Sequence, residues 1–145
     1  MTHPQVRRGM VLALVMAVVG VAVLVLGPEG DLPNAAVSTT TSVLRSVGFP
    51  DWFADTQLWS FLYNVALFVP VAFACALLWQ RVPVLVWMAI GFLGSLGIEG
   101  IQALFLVGRN AQAQDLVSNT LGAGLGAMLA RLAAAIGRHA RSGGR

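Results

Sequence analysis

The sequence predicts an all-α integral membrane protein, a bundle of four transmembrane helices with the N- and C-termini both cytoplasmic. Three observations carry this. Hydrophobic residues make up 57% of the 145-residue chain and charged residues only 10%, whereas a soluble domain is about a quarter charged. Four stretches are apolar over the length of a membrane span: residues 10–26, 58–79, 84–107 and 115–136. Most of the arginines sit at the ends of those stretches. Too little polar surface remains to cover a water-soluble globule, and the length suits a single membrane domain, residues 1–145.

The first segment follows a polar start that carries Arg7 and Arg8. Met10–Leu26 is continuously apolar and, at roughly 17 residues, just reaches the length of a spanning helix. A basic start before an apolar core also describes a signal peptide. The run is longer than such a core usually is and no A-x-A site follows, so a retained helix is the reading adopted. The residues around Arg7 and Arg8 do not make a twin-arginine signal.

Residues 27–57 form the longest connection, an outer loop with Gly, Pro and Asn and a Ser/Thr run from Ser38 to Ser42, a composition that ends the first helix. Within it, Ala35–Val47 is expected to form a short interfacial helix with Val37, Val43, Leu44 and Val47 toward lipid. Trp52, Phe53 and Trp59 cluster at the next boundary, where indole rings favour the headgroup region. The second span holds Asn64 and Pro70. Arg81 and Pro83 make a tight turn, and Trp79 and Trp87 on either side form a second aromatic belt. The third span follows, then a short turn over 108–114 with Arg109, then the fourth. The tail, 137–145, is basic and Gly-rich and is expected to be disordered.

Orientation follows from the arginines. With the N-terminus in the cytoplasm, Arg7, Arg8, Arg81, Arg131, Arg138, Arg141 and Arg145 lie inside. Arg45 and Arg109 lie outside with Glu29, Asp31, Asp51 and Asp55. The positive-inside rule favours this arrangement. The net charge of +3 and pI near 10.5 have their explanation there, and a nucleic-acid partner is rejected. The lone Cys75 lies within an apolar run and can form no intrachain disulfide.

The stretch Gly91–Gly126 organises the chain. Ionisable groups at membrane depth are expensive and usually serve a site. Gly91, Ser95, Glu99 and Gln102 share one face of the third span, and Asp115, Asn119, Gly122 and Gly126 one face of the fourth. Small residues at that spacing let helices approach closely. The two faces are expected to turn toward each other or toward Asn64, in the outer leaflet. The candidate binding residues are therefore Asn64, Ser95, Glu99, Gln102, Arg109, Asp115 and Asn119, with Glu99 and Asp115 the candidates for any catalytic role. Each has a plainer reading. Asn64 and Asn119 serve equally as interhelical glue. Asp115 serves as an N-cap, and Arg109 as a snorkelling turn residue or the ionic partner of Glu99 or Asp115. Glu99 is hardest to explain structurally, since a mid-helix charge costs on the order of 2.5–3.5 kcal/mol. No nucleophile–base pair, site histidine, Gly-rich phosphate loop or metal-ligand cluster accompanies these residues. No metal and no cofactor is expected.

These residues are also where the chain resembles the VanZ-like family of small bacterial membrane proteins, named for an accessory protein of teicoplanin resistance. The matching pieces are Asn64-Val65-Ala66-Leu67-Phe68-Val69-Pro70, then Ser95-Leu96-Gly97-Ile98-Glu99 with Gln102, then Gly108-Arg109 followed by Asp115 and Asn119-Thr120-Leu121-Gly122. The resemblance covers residues 61–129. The E-x-x-Q and R-x5-D-x3-N elements in order are fairly specific together, and no single piece would be. Two departures stand out. Ala72 replaces a common glycine, and Gln112 and Gln114 stand where relatives tend to carry acids, so any chemistry those acids perform would be lost here.

The resemblance implies a multi-pass protein of the bacterial plasma membrane with a role in the cell envelope, and no established reaction. The leading expectation is a non-enzymatic protein that lowers sensitivity to teicoplanin-type glycopeptides. Its partners would be membrane lipids and either a lipid-linked cell-wall precursor or the glycopeptide itself. The alternatives are a membrane enzyme acting on a lipid-linked substrate, with Glu99 or Asp115 as acid/base and Arg109 binding phosphate or carboxylate, and a proton-coupled transporter or flippase subunit with Glu99 as relay. Four helices make a narrow bundle, so transport would require a homo-oligomer.

Overall fold

The computed structural model describes residues 8, 11–12, 31–105 and 113–142, and it is helical throughout its regular structure. Among the described residues from 31 onward four helices follow in order: α1 (Asp31–Ser46), α2 (Thr56–Leu78), α3 (Val84–Phe105) and α4 (Ala113–Ser142). The last three are long and apolar enough to cross a membrane. At 1.5 Å per residue, α2 and α3 match a hydrocarbon layer of about 30 Å, and α4 exceeds it. The expected first span, 10–26, lies outside the described residues except Val11 and Leu12, which are helical.

Element α1 forms although its centre is a Ser/Thr run, a composition that competes with helix. The hydroxyls turn back onto the helix's own carbonyls: Ser38 Oγ to Ala35 O (3.0 Å), Thr41 Oγ1 to Ser38 O (3.1 Å) and Ser46 Oγ to Val43 O (2.7 Å), which satisfies them inside the helix. The helix ends in a Schellman motif. Gly48 adopts φ +86°, its N–H donates to Arg45 O, and Phe49 N–H donates to Leu44 O at 3.0 Å. The expectation that Val37 faces lipid with Val43 and Val47 is corrected. Val37 is buried, with Thr41 one turn on, whereas Val43 and Val47 are exposed. Six positions are about 1.7 helical turns, which sends Val37 and Val43 to different faces, and the Val37 face meets α2.

Asp55 starts α2 as N-cap, its Oδ1 accepting from Leu58 N at 2.9 Å. Around this start, Phe49, Trp52, Phe53, Trp59 and Tyr63 form a chain of ring contacts with centroids 5.2–6.1 Å apart. Trp59 Nε1 donates to Phe53 O at 2.8 Å. Pro70 is accommodated within the helix. At the far end Trp79 and Trp87 rings lie 6.5 Å apart across the turn into α3. The tail is also corrected: α4 continues through Gly137 to Ser142, because one glycine costs a helix only about 1 kcal/mol and arginines near the C-terminus suit the helix dipole.

The bundle is inside out relative to a soluble protein. Most of its buried residues are small, Ala72, Ala76, Ala123, Ala127 and Ala130 with Ser95 and Ser118, beside the larger Trp87, Glu99 and Asn119, while Leu85, Leu93, Leu104, Met128 and Ile136 are exposed. In lipid nothing drives large apolar side chains inward, and small residues that let backbones meet take the interface. Helix α4 is central: it packs extensively on α2 and also on α3, whereas α2 and α3 barely touch each other.

Candidate polar site within the bundle

The close packing of α4 is set by glycines. A Cβ on Gly122 would stand 2.7 Å from Val65 O and 2.8 Å from Phe68 Cβ, and one on Gly126 would collide with Val69 O and stand 2.9 Å from Ala72 Cβ. On α3, a Cβ at Gly91 would stand 2.6 Å from Ala123 Cβ. The two glycines of the expected α4 stripe, Gly122 and Gly126, thus meet α2, while the adjacent Ala123 meets α3.

The polar residues divide in the same way. Asp115 turns to α2, where Asn64 Nδ2 donates to its Oδ1 at 2.6 Å. Asn119 turns to α3, where its Nδ2 donates to Ser95 Oγ at 2.9 Å, and both residues are buried. The structure thus joins both expected partners, Asn64 to one polar residue of α4 and the α3 face to the other. Asp115 is the third residue of α4, inside its first turn, so the N-cap reading is corrected. A carboxylate there still meets the positive end of the helix dipole.

The antiparallel Ser95–Asn119 contact sets the register of α3 against α4. Glu99, a turn further along α3, and Asp115, a turn back along α4, consequently stand at the same level. Glu99 is only 6% exposed. Asn119 Oδ1 is buried without a hydrogen-bond partner, and such an acceptor is a costly feature in a low-dielectric interior. Ser118, fully buried beside it, bonds back to Asp115 O at 3.1 Å. The Gln102 side chain and all of Arg109 lie outside the described residues. Among the described residues, no three His, Cys, Asp or Glu side chains gather as a metal site.

Sequence reasoning missed several contacts at this end of the bundle. Gln114 Nε2 donates to Gln57 O at 2.7 Å, so this side chain ties the start of α4 to the start of α2. Thr40 Oγ1 and Tyr63 OH share a 2.8 Å hydrogen bond between α1 and α2, and Arg45 Nη2 donates to Ala54 O at 3.2 Å. The available signal was slight, a lone tyrosine and a lone arginine near a boundary.

The arrangement is a partly buried cluster of carboxylates, amides and hydroxyls, spread over about one helical turn across three helices near the end of the bundle that also carries Asp51 and Asp55. No curated protein and no solved structure matches the chain. The family model VanZ/LLP1 matches residues 11–134, a span that takes in the whole polar cluster and the connection that precedes it. With most of its length matched, the chain belongs to the VanZ/LLP1 family.

Proposed function

We propose that this protein sits in the bacterial plasma membrane with both termini cytoplasmic. Its polar cluster then faces the outer leaflet and recognises an amphiphilic envelope molecule, a lipid-linked cell-wall precursor or a teicoplanin-type glycopeptide, lowering sensitivity to the latter. The observation that carries the reading is the gathering of Asn64, Ser95, Glu99, Asp115 and Asn119 within about one helical turn of depth, with a nearly fully buried Glu99 and an unpartnered acceptor on Asn119. Helix glue alone needs neither a buried carboxylate nor an orphan carbonyl oxygen, whereas a ligand bearing hydroxyls, amides or an ammonium group can use both. Gln102 and Arg109 complete the proposed recognition set.

The level pairing of Glu99 with Asp115 favours a second reading, an acid/base pair acting on a lipid-linked substrate. One experiment separates the two. A deletion strain is complemented with wild type, Glu99→Gln, Glu99→Leu and Arg109→Ala at matched membrane levels, and teicoplanin and vancomycin sensitivities are compared. Recognition predicts a selective teicoplanin effect that Glu99→Gln retains and that Glu99→Leu and Arg109→Ala lose. Loss with Glu99→Gln as well supports proton chemistry. Identical sensitivities in all strains would remove resistance as the function.

A further inference from the structure

At the end of the bundle opposite the polar cluster, a groove of about 470 Å³ runs between α2 and α4, lined by Ala76, Gln80, Ala130, Arg131, Ala135 and Arg138. We propose that this groove binds the headgroup of an acidic phospholipid, its phosphodiester held by Arg131 and Arg138 and its glycerol edge lying over the alanine floor. The inference is independent of the function proposed above, which concerns the other end of the molecule.

Charge complementarity identifies the occupant. The chain has no Asp or Glu between Asp55 and Glu99 and none after Asp115, so no acidic side chain of the described elements at this end neutralises the arginines. Arg131 and Arg138 are seven positions apart, two turns of α4, and both open on the same groove. Arg131 is held in place: its Nη2 donates to Val82 O at 3.1 Å in the α2–α3 turn, and the rest of its planar fork is left for an oxyanion.

Depth identifies the source as lipid. Trp79, half exposed, adjoins Gln80 at the groove's edge, and an exposed indole at the end of a spanning helix marks the headgroup level. An apolar floor under a basic rim at that depth fits an acidic headgroup with its acyl chains lying on the outer, lipid-facing surface of the helices, as basic pockets between membrane helices do.

The test uses the full-length protein in a zwitterionic detergent. Native mass spectrometry measures retention of added phosphatidylglycerol against phosphatidylcholine. Wild type is expected to retain phosphatidylglycerol selectively. Each arginine replaced by Gln should weaken that retention roughly five-fold, the ratio equivalent to about 1 kcal/mol per basic group at a lipid surface. Arg45→Gln, at the opposite end, should leave it unchanged. Because Arg131 also ties the turn through Val82, Arg138→Gln alone is the decisive variant, since that side chain is exposed and its loss leaves the fold standing. Equal retention of the two lipids by wild type, full retention by Arg138→Gln, or displacement of the lipid by millimolar inorganic phosphate would each overturn the proposal, the last by identifying a small-anion site.

Discussion

Replacing Gly126 by alanine should loosen the bundle, while the same change at Gly94 should tighten it. At Gly126 the new methyl would meet Val69 O, Ala72 Cβ at 2.9 Å and Phe73 N at 2.9 Å. Two of these are backbone atoms and the third is a Cβ, so no rotamer change relieves the clash. Comfortable separations between carbon atoms are about 3.5–4.0 Å, so α4 must retreat from α2 by on the order of half an ångström or more. Overpacking of this kind costs about 1–3 kcal/mol. Alanine recovers up to about 1 kcal/mol of helix propensity, leaving a net loss of about 1–2 kcal/mol. At Gly94 nothing lies within 4 Å of the new methyl, so only the propensity gain of roughly 0.5–1 kcal/mol remains. The two variants should therefore move in opposite directions and differ by about 2 kcal/mol. The assay is SDS titration of the purified protein in mild detergent micelles, followed by tryptophan fluorescence. Coincident midpoints, or stabilisation by Gly126→Ala, would refute the claim that α4 lies backbone-to-backbone on α2.

Three further outcomes follow from named contacts. Ser95→Ala leaves both ends of the buried Asn119 amide unpartnered and should cost about 1–3 kcal/mol. Adding Asn119→Leu should recover much of that loss in the same titration, and strictly additive effects would dissolve the pair. Asn64→Leu and Asp115→Leu should be coupled by about 1 kcal/mol or more in a double-mutant cycle, because a short 2.6 Å hydrogen bond joins the two side chains. Gly48→Ala meets open space but a φ of +86°, so its cost is conformational, about 1–2 kcal/mol. It should speed amide exchange at Gly48 and Phe49, whose N–H groups close the α1 terminus, and unchanged exchange there would show the cap to be dispensable.

Much of the architecture can be read from the residues alone. A continuous apolar run needs no neighbour to declare itself, because lipid is the partner of every outward face, and so α2, α3 and the start of α4 are visible to within a few residues. Polar residues inside such runs stand out for the same reason; Ser95, Glu99 and Asn119 are buried in the bundle, and Asn64 and Asp115 are half-buried. The shape of α1 is harder to read. Its valines are spaced for neither a clean stripe nor a strand, so their pattern points Val37 to lipid when the α2 surface claims it. The helical end of α4 is hidden by Gly137 and the polar composition around it, which describe a solvated helix end as well as a loose tail.

Which neighbour each face meets is what the residues by themselves leave open. Periodicity states that Asp115, Asn119, Gly122 and Gly126 lie on one side of their helix, and nothing in a single helix states what stands there. The tertiary structure places α4 between two helices, so that Asp115 and the two glycines serve α2 while Asn119 and Ala123 serve α3. The physical reason is the absence of a hydrophobic drive between helices in lipid. Composition alone determines that segments enter the membrane, whereas their arrangement rests on short-range fit between small residues and on a few hydrogen bonds. Those terms exist only once the backbones are already in contact.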